Sequence, residues 1–153
     1  MSFMSYISKG KRRYEPVNKD KYIGNNLPVI RSEWEHQFMK YCDFNPSVIK
    51  WSSESVAIPY YNPVRKKQCR YYPDFLIKVK DKYDREKTYL VEIKPYKEIK
   101  PPIDSKNKAV ATKLYESATY MVNINKWKAA EDFCRKKNMT FRIITEKELF
   151  NER

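Results

Sequence analysis

The chain has 153 residues, with 32 lysines and arginines against 19 aspartates and glutamates, which gives a formal net charge of +13. This length suits one domain with one substantial core, and the charge favours nucleic acid as a partner without deciding between a binder and an enzyme. His36 is the only histidine, and Cys42, Cys69 and Cys134 lack paired spacing, which argues against a zinc site, a disulfide framework and Cys–His catalysis. No apolar run approaches the length of a membrane span.

The first 28 residues show no helical or strand period and mix basic with aromatic side chains. We expect residues 1–28 to form a basic, extended arm that precedes a single domain spanning residues 29–153. Such an arm can follow a phosphate backbone while its tyrosines stack on exposed bases. Its candidate DNA-binding residues are Lys11, Arg12 and Arg13, and the alternative is a solvated tail that wraps the domain.

The first helix is predicted from the stretch Arg31 to Cys42. Trp34, Phe38 and Tyr41 follow the helical period and form one apolar stripe, and Ser32 is the expected N-cap. Glu35 lies about 100° around the helix axis from Trp34, at the border of that stripe. It can therefore face the polar site of a sheet, although a glutamate in a first turn also favours the helix dipole without any further role.

The stretch from Val48 to Tyr61 predicts strand structure that ends at Pro59, followed by a basic hairpin turn over residues 62–68. This turn approaches the strand that carries Asp74, so we predict a DNA-contacting loop, with ordinary solvated turn charges as the alternative. Glu54 precedes the strand that starts at Val56, and we expect it to be an exposed strand-end residue. The predicted DNA-contacting residues of the loop are Arg65, Lys66, Lys67 and Arg70.

Two strands are predicted at Tyr72–Val79 and Tyr89–Lys94, separated by a polar turn. Because side chains alternate along a strand, Glu92 and Lys94 share one face, while Val91 and Ile93 face the core.

If these two strands are neighbours, Asp74 meets Glu92 across the sheet. Two close carboxylates repel each other unless a divalent cation lies between them, and oxygen ligands suit Mg²⁺ or Mn²⁺. The ammonium of Lys94 would hold a water or neutralise a phosphate beside that ion. A Glu-x-Lys pair on a strand is otherwise most often a solvated face.

The rest of the chain predicts helices and one more strand. Residues 95–102 interrupt regular structure, a helix runs from Ser105 to about Tyr120, and a second helix is capped by Asn125. Residues 141–144 form a last strand, and Thr145 with Glu148 has the form of a capping box. The order of helix, three strands, one or two helices and strand predicts an α/β domain.

Three motifs in this order resemble the PD-(D/E)xK nuclease superfamily, especially its TnsA-like endonuclease branch. They are Arg31-Ser32-x-x-Glu35, Tyr72-Pro73-Asp74-Phe75-Leu76 and Val91-Glu92-Ile93-Lys94-Pro95. Residues 51–61, 125–130 and 141–146 further resemble the head completion nucleases of T-even-type tailed phages. The resemblance implies a restriction-endonuclease-like core, a central mixed β-sheet flanked by helices in α-β-β-β-α-β order.

The resemblance also implies a set of site residues. Asp74 and Glu92 match the metal-binding carboxylates, Lys94 matches the catalytic lysine, and Glu35 matches the helix-borne acid that completes the site, directly or through water. The backbone carbonyl of Ile93 is the further metal ligand. The implied cofactor is Mg²⁺, for which Mn²⁺ would substitute, and Glu54 falls where related phage junction-resolving enzymes carry a supporting acid.

The expected function is metal-dependent hydrolysis of DNA phosphodiester bonds, on the packaged DNA end during phage head completion. The resemblance implies work in the host cytoplasm during assembly, with the virion head or neck as a second location and portal or neck proteins as partners beside DNA. Two alternatives stay open. One is a non-catalytic head completion or neck-joining protein that binds the DNA end, and the other is a site-specific endonuclease of restriction or transposition type.

Overall fold

The computed structural model describes residues 11–149. Two helices and a four-stranded sheet form most of the domain, with two smaller strand pairs, a 3-10 turn at Tyr96–Ile99 and a short terminal helix. The elements in chain order are β1 (Arg12–Arg13), β2 (Val29–Ile30), α1 (Glu33–Phe44), β3 (Val48–Ser53), β4 (Ile58–Asn62), β5 (Lys67–Tyr71), β6 (Phe75–Lys80), β7 (Glu86–Ile93), α2 (Val110–Lys136), β8 (Thr140–Ile144) and α3 (Glu146–Leu149).

The central sheet has the strand order β3-β6-β7-β8. Strands β3, β6 and β7 pair antiparallel, and β8 joins β7 in parallel, so the sheet is mixed. Helices lie on both faces, because α1 packs on one side and α2 on the other. The predicted fold, a central mixed sheet flanked by helices, is confirmed. The predicted order of elements also holds for this sheet. The hairpin β4–β5 forms a separate two-stranded sheet and lies between β3 and β6 in the chain.

Strand β7 is apolar on both faces because each face is covered. Val91 and Ile93 belong to the cluster on the α1 side, whereas Leu90 packs with Trp127 on the α2 side. By alternation Glu92 shares the α2 face with Leu90, and it is buried to 8% exposure. A carboxylate in such a position must find a partner or a counter-ion.

Helix α1 begins as predicted. Ser32 is the N-cap, and its hydroxyl accepts a hydrogen bond from the backbone N–H of Glu35 at 3.1 Å. Phe38, Met39 and Cys42 are buried against the sheet. The cap therefore fixes where Glu35 lies in the first turn, on the side of the helix that approaches the sheet.

Several predicted boundaries are wrong for reasons of tertiary pairing. Pro59 does not end a strand but lies within β4, opposite Arg70, where the two-stranded hairpin tolerates it. The motif strand begins at Phe75 rather than Tyr72, and the turn between β6 and β7 is tightened by the side chain of Asp81, which accepts from two backbone N–H groups.

The two helices predicted after the motif are one. Helix α2 is continuous over 27 residues, and Asn125 does not cap a helix, since its side-chain amide donates to the backbone carbonyl of Tyr61 at 3.0 Å. This bond ties α2 to the hairpin. The predicted capping box at Thr145 and Glu148 is confirmed, because the Thr145 N–H donates to the Glu148 carboxylate at 2.7 Å.

Cys42, Cys69 and Cys134 are free thiols, of which Cys42 and Cys134 are buried and Cys69 is half-buried. Burial raises the pKa of the Cys134 thiol to about 11, so it stays protonated at neutral pH. In the described part of the chain no helix is long and apolar enough to cross a membrane.

The described part of the N-terminal segment is wrapped onto the domain. Tyr14 is buried in the α1-side core, and its hydroxyl donates to the carboxylate of Asp43. The backbone N–H groups of Val17 and Asn18 donate to the same carboxylate at 2.8 and 2.9 Å. Residues 11–28 therefore correspond to the alternative of a segment that wraps the domain, rather than to an extended arm. Residues 1–10 lie outside the described residues, and the domain boundary at residue 28 stays a prediction.

Replacing Asp43 with alanine should destabilise the protein by about 3 kcal/mol at neutral pH, because one buried and two partly buried donors lose a charged acceptor. Burial alone would raise the pKa of Asp43, but the hydrogen bonds from Tyr14, Val17 and Asn18 outweigh it and the pKa is lowered. A lowered pKa gives stability that is present above the unfolded-state value and lost as the pH falls through the folded-state value.

Urea unfolding at pH 7 and near pH 3 measures the effect, and the difference between Asp43→Ala and the parent should shrink at the acid pH. Asp20→Ala, at an exposed position, is the matched control and should unfold like the parent at both pH values. Equal stability of Asp43→Ala and the parent at pH 7 would show that Asp43 does not anchor the segment.

Candidate active site

The pairing of β6 with β7 brings the two motif carboxylates together. Phe75 is opposite Val91 in the register, so Asp74, one residue earlier, comes level with Glu92. The Asp74 carboxylate accepts a hydrogen bond from the backbone N–H of Ile93 at 2.7 Å, which fixes it against the end of β7. The carbonyl of a strand residue points to the same side as its N–H. The Ile93 carbonyl is therefore directed toward Asp74 as well.

Both carboxylates resist ionisation. Burial raises the pKa of Asp74, the charge of Glu92 raises it further, and the Ile93 N–H and Lys94 offset only part of this. Burial also raises the pKa of Glu92, against the Tyr71 hydrogen bond and the charges of Lys94 and Lys126. A cation bound between the two groups would relieve both the desolvation and the repulsion.

Glu35 joins this pair from helix α1. Burial raises its pKa to about 7, and the negative charges of Asp74 and Glu54 contribute in the same direction. Lys94 also reaches the site, with its ammonium 3.9 Å from a carboxylate oxygen of Glu92. The structure thus brings together the four predicted catalytic residues Glu35, Asp74, Glu92 and Lys94, while their roles stay predictions.

Glu54 lies beside the acid cluster, where an exposed strand end was expected. It is not simply exposed at a strand end, since its side chain is 29% exposed and receives two hydrogen bonds from the guanidinium of Arg31, at 2.6 and 3.0 Å. Its backbone N–H donates to the carbonyl of Asp74 at 3.0 Å. The residue holds a left-handed φ of 49°. This turn places its carboxylate beside the acid cluster.

Tyr71 and Lys126 are further residues of the site that the sequence did not reveal. The Tyr71 hydroxyl donates to Glu92 at 2.7 Å, and Tyr71 is buried. The ammonium of Lys126 lies over the rings of Tyr60 and Tyr71, 5.9 and 5.6 Å from their centres. Tyr71 adjoins the Tyr72-Pro73-Asp74 motif, which is a local signal, but nothing in the sequence links position 126 to Glu92.

The predicted DNA-binding residues of the N-terminal segment fall in two places. Lys11 and Arg13 line a pocket of about 430 Å³ together with Arg31 and Glu54, beside the acid cluster. Arg12 does not line this pocket, because its guanidinium forms an ion pair with Glu33 at 2.7 Å. The pocket is therefore a basic cleft next to the site, in which Arg31 is already bound to an acid.

The basic hairpin turn lies farther from the acids than expected. Strand β5 runs from Lys67 to Tyr71, so the start of the strand is about 13 Å from the end that adjoins the site. Arg65, Lys66 and Lys67 sit at the distal end, and Arg70 is exposed on the opposite face from the buried Tyr71. Arg65, Lys66 and Lys67 therefore lie away from the acid cluster, and DNA contact by the four side chains stays a prediction.

The donor set fits a hard divalent cation only in part. Asp74, Glu92 and the Ile93 carbonyl offer oxygen ligands, and the pKa of each acid is raised, chiefly by burial. Within residues 11–149, however, no group of three histidine, cysteine, aspartate or glutamate side chains has the geometry to hold a metal ion. An ion here would rest on the carboxylate pair, a backbone oxygen and water.

Two comparisons with known proteins bear on this site. A family model described as the N-terminal domain of TnsA-like endonucleases matches residues 45–146, which include Asp74, Glu92 and Lys94. The head completion nuclease of Enterobacteria phage T4 is 38% identical over 147 residues, which cover 94% of this chain and 93% of that protein.

Replacing Asp74 with asparagine should stabilise the metal-free protein at pH 8, by on the order of 1 kcal/mol. The amide keeps an acceptor for the Ile93 N–H and removes the repulsion of Glu92. Because the pKa of Asp74 is raised on folding, its destabilising effect is full above the folded-state pKa and vanishes below the unfolded-state pKa. The gain should therefore shrink as the pH falls toward 4.

Chemical unfolding in the presence of a chelator, at pH 8 and at pH 4, measures this difference. The control is Asp84→Asn, whose side chain is 81% exposed and whose positive φ asparagine tolerates. A loss of stability in Asp74→Asn at pH 8 would contradict the view that the two carboxylates oppose each other.

Proposed function

This chain belongs to the TnsA-like endonuclease family, and we propose that it is a metal-dependent endonuclease that hydrolyses phosphodiester bonds in DNA during phage head completion. The observation that carries the proposal is the carboxylate pair of half-buried Asp74 and buried Glu92, with Lys94 directly after the end of β7. The 38% identity to a head completion nuclease supports the biological setting. A purely structural protein has no need of two opposed, largely desolvated acids beside a lysine.

Each residue has a defined task in this proposal. Asp74, Glu92 and the Ile93 carbonyl would hold Mg²⁺, or Mn²⁺ in its place, and Glu35 would complete the site directly or through water. The bound ion supplies Lewis acidity and lowers the pKa of a water. Lys94 orients that water and balances charge on the phosphate, and Tyr71 holds Glu92 by its 2.7 Å hydrogen bond.

The reaction is a displacement at phosphorus. The oxygen of a water forms a new bond to phosphorus, and the bond from phosphorus to one ester oxygen breaks. The water gives up a proton, and the leaving oxygen takes one, so that one product strand ends in a phosphate and the other in a hydroxyl. Glu35, with a pKa of about 7, is suited to exchange a proton with solvent during this step.

The DNA would be held largely through its phosphates. The chain carries a net charge of +13, and the basic pocket with Lys11 and Arg13 adjoins the site on one side. The hairpin side chains would contact flanking phosphates. We place this activity in the host cytoplasm during assembly, on the packaged DNA end, with portal or neck proteins as the neighbouring partners and the virion head or neck as a second location.

Alanine at Asp74 or Glu92 should abolish Mg²⁺-dependent cleavage of DNA, because each change removes a metal ligand. Lys94→Ala should lower turnover by about 100-fold and leave metal binding measurable, since an ammonium does not ligate the ion. Glu35→Ala should give a smaller, graded loss if its ligation is through water. Cleavage of linear, flapped, branched and supercoiled DNA, run beside metal titration by calorimetry, separates these roles.

The matched controls are Asp20→Ala, Lys97→Ala and Glu33→Ala, which alter exposed residues of the same types. They should cut DNA like the parent. If the parent cuts no DNA with Mg²⁺ or Mn²⁺, or if all four site variants cut like the parent, the catalytic assignment is wrong. A DNA-end-binding neck protein then becomes the better account.

Charge reversal at Arg65, Lys66, Lys67 and Arg70 should flatten the dependence of DNA affinity on salt, by roughly 0.9 in slope for each phosphate that is no longer neutralised. The measurement is a fluorescence titration at several salt concentrations. Charge reversal of the exposed lysines 19, 40, 82 and 136 changes the net charge equally and is the control. The same flattening in both sets would mean that the hairpin makes no specific phosphate contacts.

A further inference from the structure

Lys126 occupies an unusual position for a lysine. It lies on helix α2 next to the buried Trp127, and its ammonium stands over two tyrosine rings of the hairpin, Tyr60 and Tyr71. Both rings are themselves buried. The negative faces of aromatic rings attract a cation, which holds the ammonium in place without neutralising its charge.

The positive charge of Lys126 is not paired with a carboxylate within the described residues. Among residues 11–149 its ammonium takes part in no salt bridge or hydrogen bond, unlike Lys108, which pairs with Glu116 at 2.7 Å. It nevertheless acts on the site, because it lowers the pKa of Glu92. The ammonium is thus close enough to Glu92 to affect its pKa, but it does not form an ion pair with it.

Lys94 and Lys126 reach the neighbourhood of Glu92 from different elements. Lys94 lies 3.9 Å from one carboxylate oxygen, and Tyr71 donates to the other. Lys126, from α2, lies over the ring of this same Tyr71. A phosphate bound at the carboxylate pair would therefore have both ammonium groups in its neighbourhood.

We propose that Lys126 is a second catalytic lysine, whose ammonium contacts a non-bridging oxygen of the DNA phosphate at Asp74 and Glu92. This inference rests on the proposed nuclease function. Lys126 stays protonated throughout and exchanges no proton; it stabilises the negative charge that increases on the phosphate oxygens as water adds and the ester bond breaks. Tyr60 and Tyr71 hold the ammonium in place before the phosphate binds, so little side-chain conformational entropy of Lys126 is lost during the reaction.

The decisive variants are Lys126→Met, which keeps the length of the stem over the rings but removes the charge, and Lys126→Arg, which keeps the charge. We expect Lys126→Met to lower kcat by about 100-fold with a smaller effect on KM, and Lys126→Arg to restore much of the loss. Lys128→Met, two residues away and exposed, should match the parent.

Metal titration and thermal unfolding distinguish this role from a structural one. Lys126→Met should bind Mg²⁺ at least as tightly as the parent, because a cation near Glu92 is removed, and should unfold at a similar temperature. The proposal is overturned if Lys126→Met turns over DNA at the parent's rate, or if its activity falls only together with its stability and metal binding.

Failure of the proposed function would be recognised separately, since the parent itself would then not cut. In that case binding of a short duplex decides, measured in an Asp74→Asn background. Lys126→Met should lower the salt dependence of affinity by a slope of about 1, and Lys128→Met should leave it unchanged. An unchanged slope in Lys126→Met would overturn the phosphate contact, whether or not the protein is a nuclease.

Discussion

The repulsion between Asp74 and Glu92 is the constraint on which the site depends. Antiparallel pairing of β6 with β7 sets the two carboxylates level, and the burial of Glu92 with the partial burial of Asp74 limits their screening by water. The protein opposes the repulsion by specific bonds, from the Ile93 N–H to Asp74 and from the Tyr71 hydroxyl to Glu92. These bonds hold the geometry but do not remove the excess negative charge, which is the basis for proposing a cation at this site.

The positively charged side chains around the acids come from different secondary-structure elements. Arg31 precedes helix α1 and is bound to Glu54, Lys94 continues β7, and Lys126 comes from α2. The backbone N–H of Lys94 donates to the carbonyl of Ile144 at 3.0 Å, so strand β8 fixes the end of β7. Each cationic side chain is therefore placed by a different part of the fold.

What the sequence predicts well is local. The Ser32 cap, the capping box at Thr145 and the alternation that puts Glu92 and Lys94 on one face all depend on neighbouring residues. The register between Asp74 and Glu92 follows as soon as the two strands pair. These short-range rules, once the two strands pair, bring Asp74, Glu92 and Lys94 together. The approach of Glu35 depends in addition on the packing of helix α1 against the sheet.

What the sequence does not predict depends on contacts between distant segments. Asn125 has the chemistry of a helix cap, but α2 continues through it, and its amide bonds to Tyr61 instead. Glu54 looked like a solvated strand end because its pairing with Arg31 requires a turn with positive φ. The position of Lys126 depends on the hairpin, which places the rings of Tyr60 and Tyr71 beneath its ammonium, and the sequence does not predict this contact.

Helix α1 links the site to the N-terminal segment. Its first turn is fixed by Ser32 and carries Glu35 to the acids, and near its other end Asp43 is held by Tyr14, Val17 and Asn18. A helix secured at both ends can neither slide nor rotate far, because the bonds at each end have defined directions. The wrapped segment, although it contributes no acid to the site, therefore helps to determine where Glu35 meets Asp74.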